Sequence, residues 1–183
     1  QLSAVNIDEP ALESAGFNPV NFSGKNFSIA QFQQLQHRLL SYYEQNGYPF
    51  ASVYLDSVLL QQNNIAALLK ADKGKLYHID SIRVYGNAKL KKKFLQNYLG
   101  ISNGSIYNKQ RLEQVDRKML ELPYINSLQS SSLSMLGAGA ILNLFLEPKR
   151  SSQVNFLLGL LPSNGQSGKM QLTADINLDL KNL

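Results

Sequence analysis

The chain has 183 residues, 44% of them hydrophobic and 17% charged, with no cysteine and a formal net charge of +5. That length holds one ordinary domain or two small ones, and the hydrophobic share can bury a core, which excludes a disordered chain. The lack of cysteine excludes disulfide frameworks, cysteine metal sites and thiol nucleophiles together, and no apolar run approaches the roughly 20 residues of a membrane-spanning helix.

Residues 1–27 are interrupted by Pro10, Gly16, Pro19 and Gly24, so they read as a linker or an incomplete start of a first module. Over 28–46, Ile29, Phe32, Leu35, Leu39, Leu40 and Tyr43 recur at three- and four-residue steps, which predicts an amphipathic helix with Ser28 as its N-cap. Gly47 tolerates the backbone that ends a helix, and Pro49 blocks its continuation. A strand is expected at 50–60, a polar turn at 61–64 and a returning strand at 65–71. The next strand spans 75–85, with Leu76, Ile79, Ile82 and Val84, and stops at the Gly86-Asn87 turn. Residues 88–99 carry Leu90, Phe94, Leu95, Tyr98 and Leu99 on one helical face, and 108–122 repeat the pattern with Leu112, Val115, Met119 and Leu122. Strands at 125–136 and 140–147 flank a Gly137-Ala138-Gly139 turn. Tyr48 and Tyr124 follow the two comparable helices at an offset of 76 residues, so the unit repeats at domain size and not at the ~20 to 50 residues of a solenoid.

The end of the chain has a different period. After a strand-like run at 154–161, residues 169–183 alternate: Met170, Leu172, Ala174, Ile176, Leu178 and Leu180 against Gln171, Thr173, Asp175, Asn177, Asp179 and Lys181, with Leu183 beyond. Membrane barrel strands alternate in this way over roughly 10 residues, and so does a half-buried strand of a soluble sheet. A two-stranded hairpin is marginal alone, so 151–183 is expected to be the first strands of a truncated membrane β-barrel.

No reactive constellation emerges. His37 and His78 are the only histidines and neither has a partner at metal or triad spacing. Glu113 and Asp116 share a helix with Arg117 and read as a solvated face. There is no G-x-S-x-G elbow and no phosphate-binding loop. Neither an enzyme, a cofactor nor a metal is expected. Between residues 70 and 93 eight basic residues face two carboxylates, so the positive charge of the chain is concentrated there. The GXXG clamp and aromatic strand platform of nucleic-acid-binding β-α-α-β folds are missing. Lys89, Lys91, Lys92 and Lys93 are instead candidates for contact with an anionic surface.

The run Ile65-x-Ala67-x-Leu69-x-x-x-x-Gly74-x-x-Tyr77-x-Ile79-x-x-Ile82-x-Val84-x-Gly86-Asn87 resembles the junction of consecutive POTRA domains in the BamA and TamA superfamily (bacterial surface antigens). Tyr43-x-x-x-Gly47-Tyr48-x-x-Ala51-x-Val53 is similar to the passage from second helix to second strand of such a domain. Leu99-Gly100 to Gly104-x-x-Tyr107, with Leu112, Leu120 and Pro123-Tyr124, is similar to the connection into the second helix of the last module. The resemblance implies an α+β fold of β-α-α-β-β modules, two helices on a three-stranded mixed sheet, with a first module at 28–74, a second at 75–150 and the barrel hairpin after it. Gly47, Gly74 and Gly86 would end elements, Asn87 would share the Gly86 turn, Gly104 would lie in the helix-helix connection, and Tyr48, Tyr77 and Tyr107 would bury a ring while directing the hydroxyl to a loop backbone.

The resemblance further implies a periplasmic scaffold at the Gram-negative outer membrane, binding unfolded outer-membrane clients or lipoprotein partners without a small-molecule substrate. An exposed strand edge would capture them by strand addition. The expected edges are Val53, Tyr54 and Leu55 in 52–59, and Ser127, Gln129, Ser131 and Leu133 in 127–133, where Ser130, Ser131 and Ser132 keep the edge polar. Two alternatives are a dedicated secretion transporter and a POTRA-barrel protein with a lipid hydrolase upstream.

Overall fold

In the computed structural model, which describes residues 1–23, 28–61, 64–149, 152–161 and 171–180, two α+β modules of one topology precede a β-hairpin. Gly24, the predicted turn at 62–63, the module border at 150–151, and residues 169–170 and 181–183 of the alternating tail lie outside the described residues.

The first module runs β1 (Leu2–Val5), α1 (Glu9–Ala15), a 3-10 turn (Pro19–Phe22), α2 (Ile29–Gln45), β2 (Ser52–Gln61) and β3 (Asn64–Asp72). Its sheet has the order β1-β3-β2, with β1 parallel and β2 antiparallel to the central β3. Residues 1–23 therefore hold the strand and first helix that the Pro and Gly pattern left open. The same punctuating residues bound a very short helix: Pro10 sits in its first turn and Gly16, at φ 65°, closes it. A seven-residue helix flanked by a four-residue strand is too short for periodicity to reveal. α2 matches expectation, with the Ser28 hydroxyl accepting from Gln31 N at 3.4 Å. Leu35, Leu39 and Tyr43 of α2 pack with Leu2, Ala11, Ala15, Val53, Ala67 and Leu69 into one core.

The second module comprises β4 (His78–Tyr85), α3 (Lys92–Leu99), β5 (Ser105–Ile106), α4 (Lys109–Glu113), α5 (Val115–Leu120), β6 (Ile125–Leu136) and β7 (Gly139–Pro148). Its sheet order is β5-β4-β7-β6, with β4 parallel and β6 antiparallel to the central β7. Leu95, Leu99, Val115 and Met119 from the helices meet Ile79, Ile82, Ala140, Leu142, Leu144 and Leu146 from the sheet in a second core. Three details depart from expectation. α3 starts four residues late because Ala88 N is held by Leu146 O at 3.3 Å, which keeps 88–91 against the sheet. The helix expected at 108–122 divides at Gln114, although its apolar face stays inward. β5 adds a short fourth strand, fixed by Gly104 N donating to Ile79 O at 2.7 Å.

β8 (Ser152–Leu161) and β9 (Gln171–Leu180) pair antiparallel over their full ten residues. Register places Phe156 opposite Ile176 and Leu158 opposite Ala174 on one face, with Leu157 opposite Asp175 on the other.

Candidate strand-edge sites and the junction between modules

Both expected edges are edges: β2 ends the first sheet and β6 ends the second. Along β2, Val53 turns into the core, Tyr54 is 46% exposed, and Leu55 on the Val53 face is half-buried. Gln36 of α2 donates to the Val53 carbonyl. The register then slips between Asp56 and Leu59, where β2 spends three residues against two of β3. Ser57 takes φ 51° in this bulge, its N–H donates to its neighbour Asp56 at 2.7 Å, and Lys70 of β3 forms an ion pair with the same carboxylate. The hydrogen bond from Lys70, followed by that from Ser57 N–H, holds the Asp56 carboxyl below its usual range. Val58 in the bulge and Leu59 and Leu60 beyond it are exposed.

β6 is bulged twice, between Ser127 and Gln129 and between Gln129 and Ser132. The Ser127 hydroxyl donates to Gln129 O at 2.9 Å across the first bulge, and Ser131 N donates to Asp116 Oδ1 at 2.8 Å at the second. Bulges twist an edge away from a flat template, and a carboxylate that takes an edge N–H removes one docking group. Asp116 is thus a structural clasp between α5 and the edge strand, which corrects its reading as solvated helix face. Leu133 turns toward the core. The regular stretches that remain are Ser52 to Asp56 and Leu59 to Gln61 on β2, and Ile125 to Ser127 and Ser132 to Leu136 on β6.

The motif glycines and tyrosines do more than end elements. Gly47 O accepts from Tyr77 N at 2.8 Å, and Tyr77 O accepts from Tyr107 N at 2.9 Å, so one ladder of backbone bonds joins the end of α2 to the second module. The Phe50 and Tyr77 rings meet edge to face at 5.4 Å. Asn108 donates through Nδ2 to Gln45 O at 2.8 Å while its Oδ1 caps α4, and Lys109 Nζ reaches Glu44 at 2.9 Å. That ion pair is largely solvated and contributes about 0.2 to 1 kcal/mol; the hydrogen bond that Lys109 donates to Glu44 raises the Lys109 pKa. Burial raises that of Tyr107, whose ring sits in the second core. Tyr48 lies under Lys73 Nζ, 5.6 Å from its ring centre, and Lys73 also reaches Asp8 at 3.2 Å. Gly74, at φ 65°, donates its N–H to Asp72 Oδ1 in an Asx-type turn. Gly86 lies against the Leu146 backbone beside the exposed Asn87.

The two histidines stay apart: His37 is exposed on α2, lining a cleft with Glu44 and Lys109, and His78 opens β4 opposite Gly139. Among the described residues there is no group of three or more His, Cys, Asp or Glu able to hold a metal ion. No helix among them is long and apolar enough to cross a membrane, which says nothing of β-barrels.

Residues 77–143 match the family described as POTRA, surface antigen variable number repeat. The fold is similar to POTRA domains 3–5 of BamA from Haemophilus influenzae, at 15% identity and TM-score 0.50, covering 94% of this chain and 93% of that one. It is also similar to BamA from Haemophilus ducreyi lacking POTRA domains 1–3, at 13% identity and TM-score 0.60 over 98% of this chain. The chain spans 34% of that second structure. CdiB from Acinetobacter baumannii aligns at 16% identity and TM-score 0.48, over 100% of this chain and 34% of that one. No curated protein matches the chain by sequence. Helices packed on a mixed sheet, with one exit strand paired parallel to the entry strand on one side and antiparallel to an edge strand on the other, place the chain in the POTRA fold class. The family match falls on the second module, and the likeness of fold extends over both.

Proposed function

We propose that this chain is a non-catalytic periplasmic arm of an outer-membrane assembly or translocation protein, which takes extended client or partner segments onto the free edges of β2 and β6. The observation that carries this reading is the pair of edges: the same antiparallel strand lies unpaired at the same side of two modules of equal topology. Unpaired edge N–H and C=O groups bind any extended backbone, and specificity comes only from alternate side chains, which suits many different clients. The bulges confine capture to short regular stretches. Two such strips bind a mobile client weakly and reversibly and discourage self-association.

The proposal is tested by photo-crosslinking. A crosslinker placed at Tyr54 on β2 and at Ser134 on β6 should trap an unfolded outer-membrane protein, while one at exposed Gln33 on α2 should not. Equal trapping at all three positions, or none at the two edges, overturns strand addition.

The second half of the proposal reads β8 and β9 as the opening strands of a membrane barrel. Ten residues per strand suits a tilted membrane crossing, which takes about 9 to 11. Phe156, Leu157, Leu158 and Ile176 are 59%, 72%, 60% and 56% exposed, more apolar surface than an isolated two-stranded ribbon keeps in water. Truncation after residue 149 should therefore convert a chain that associates in detergent-free buffer into a monodisperse monomer, read by gel filtration with light scattering. A full-length chain already monomeric without detergent would count against membrane strands.

A further inference from the structure

Lys89, Lys91, Lys92 and Lys93 are all exposed, and none of the ion pairs among the described residues uses them. Lys91 is the N-cap of α3 and Lys92 and Lys93 fill its first turn. A helix presents the positive end of its dipole there, so cations at this point are placed against the local field. They cost the fold stability instead of adding to it. Beside them Phe94 is 38% exposed and stacks on Tyr98 at 5.6 Å, and Tyr85, 41% exposed, stacks on Phe145 at 5.2 Å.

The location is fixed by backbone contacts. Ala88 N bonds Leu146 O, Gly86 abuts Leu146, and Tyr85 is in register with Phe145, so the lysine loop lies at the end of the sheet where β7 finishes. β7 ends at Pro148 and β8 begins at Ser152, a gap that an extended chain crosses in about 14 Å at most. Lysines interleaved with exposed aromatic rings thus lie at the end of the module from which the apolar hairpin emerges. The carboxylates at this end are Glu147 on β7 and Glu121 after α5, the latter engaged by the Tyr98 hydroxyl at 3.4 Å. Positive charge is in excess.

We infer that the face formed by Lys89, Lys91, Lys92, Lys93, Tyr85 and Phe94 rests on the anionic phospholipid headgroups of the bilayer that receives the hairpin. Ammonium groups meet lipid phosphates, and the rings sit at headgroup depth, where one side of an aromatic is apolar and the other wet. The contact sets the second module down at the membrane surface and leaves the β2 and β6 edges free for clients. Its position rests on reading β8 and β9 as membrane strands; its chemistry does not.

The test is flotation of the full chain with vesicles of phosphatidylcholine alone and of phosphatidylcholine containing 30% phosphatidylglycerol. The chain should partition far more strongly into the second, with the preference lost in high salt. The variant K89Q/K91Q/K92Q/K93Q should lose more than a hundredfold of that preference, since each lysine near such a surface contributes roughly fivefold. Lys75→Gln, an exposed lysine near the opposite end of β4, should leave it within about twofold. A melting temperature of the quadruple variant at or above that of the native chain shows that the fold is intact. Equal flotation with both vesicle types overturns the headgroup contact while leaving the membrane hairpin standing. Flotation with neither overturns both, and a preference that survives the quadruple substitution overturns the assignment of these lysines.

Discussion

Gly86→Val is expected to lower the stability of the second module by about 2 to 5 kcal/mol. Two costs combine. Gly86 has φ +99°, a region that a β-branched residue enters only under strain. A Cβ there would sit 3.1 Å from the Leu146 carbonyl carbon and closer still to its oxygen. The obstruction is backbone of the central strand and cannot swing aside as a side chain could. That carbonyl also accepts from Ala88 N, so displacing it releases the loop that sets the start of α3. For a module of this size the melting temperature should fall by roughly 10 to 30 °C, measured by calorimetry. Gly86→Ala should fall less. A change within about 0.5 kcal/mol for the valine variant would mean that the turn relaxes away from β7, and the close approach would then have no bearing on stability.

Gly47→Val is expected to act differently, by parting the modules. Gly47 also has φ +99°, but the groups that an added Cβ would meet are Leu76 Cδ1 and Ile106 Cγ2, the latter at 2.6 Å, both belonging to flexible side chains. They can move, and doing so pushes the start of the second module off the end of α2. The bond from Tyr77 N to Gly47 O and the ring contact of Phe50 with Tyr77 go with them. A stability loss of about 1 to 3 kcal/mol should accompany this. The sharper readout is rotational motion by NMR relaxation. The native modules should tumble as one body, and the Val variant should show two correlation times. A single correlation time in the variant would place the rigidity of the junction in Asn108 and Lys109 instead.

The second module was legible because its signals are long and local. Leu95 and Leu99, or Val115 and Met119, repeat at helical spacing and are buried together. The β6-β7 hairpin needed only its alternation and the Gly137 turn. The start of the chain was not legible, since β1 exists by pairing with β3, more than sixty residues later. A strand held by a distant parallel partner leaves little local pattern. The resemblance implied that β2 and β6 lie at sheet edges, where they are, but their bulges left no sequence signal, because a bulge depends on what neighbours do: Lys70 on β3 and Asp116 on α5. The junction was legible only in part. Gly47, Tyr77 and Tyr107 stood out as residues that end elements, yet the backbone ladder connecting them comes from three separate segments meeting in space.

The parallel pairing within each module has a mechanical consequence. β1 and β4 each enter a sheet beside the strand through which the chain leaves it, β3 and β7, and run in the same direction. Entry and exit therefore lie at opposite ends of each module. Tension applied between the two ends of a module pulls the paired strands past one another and loads all their ladder bonds together. A pair with entry and exit at one end would instead be peeled apart bond by bond. Each module thus acts as a tie whose entry and exit strands are loaded in shear, so a pull on its two ends is borne by the whole ladder at once.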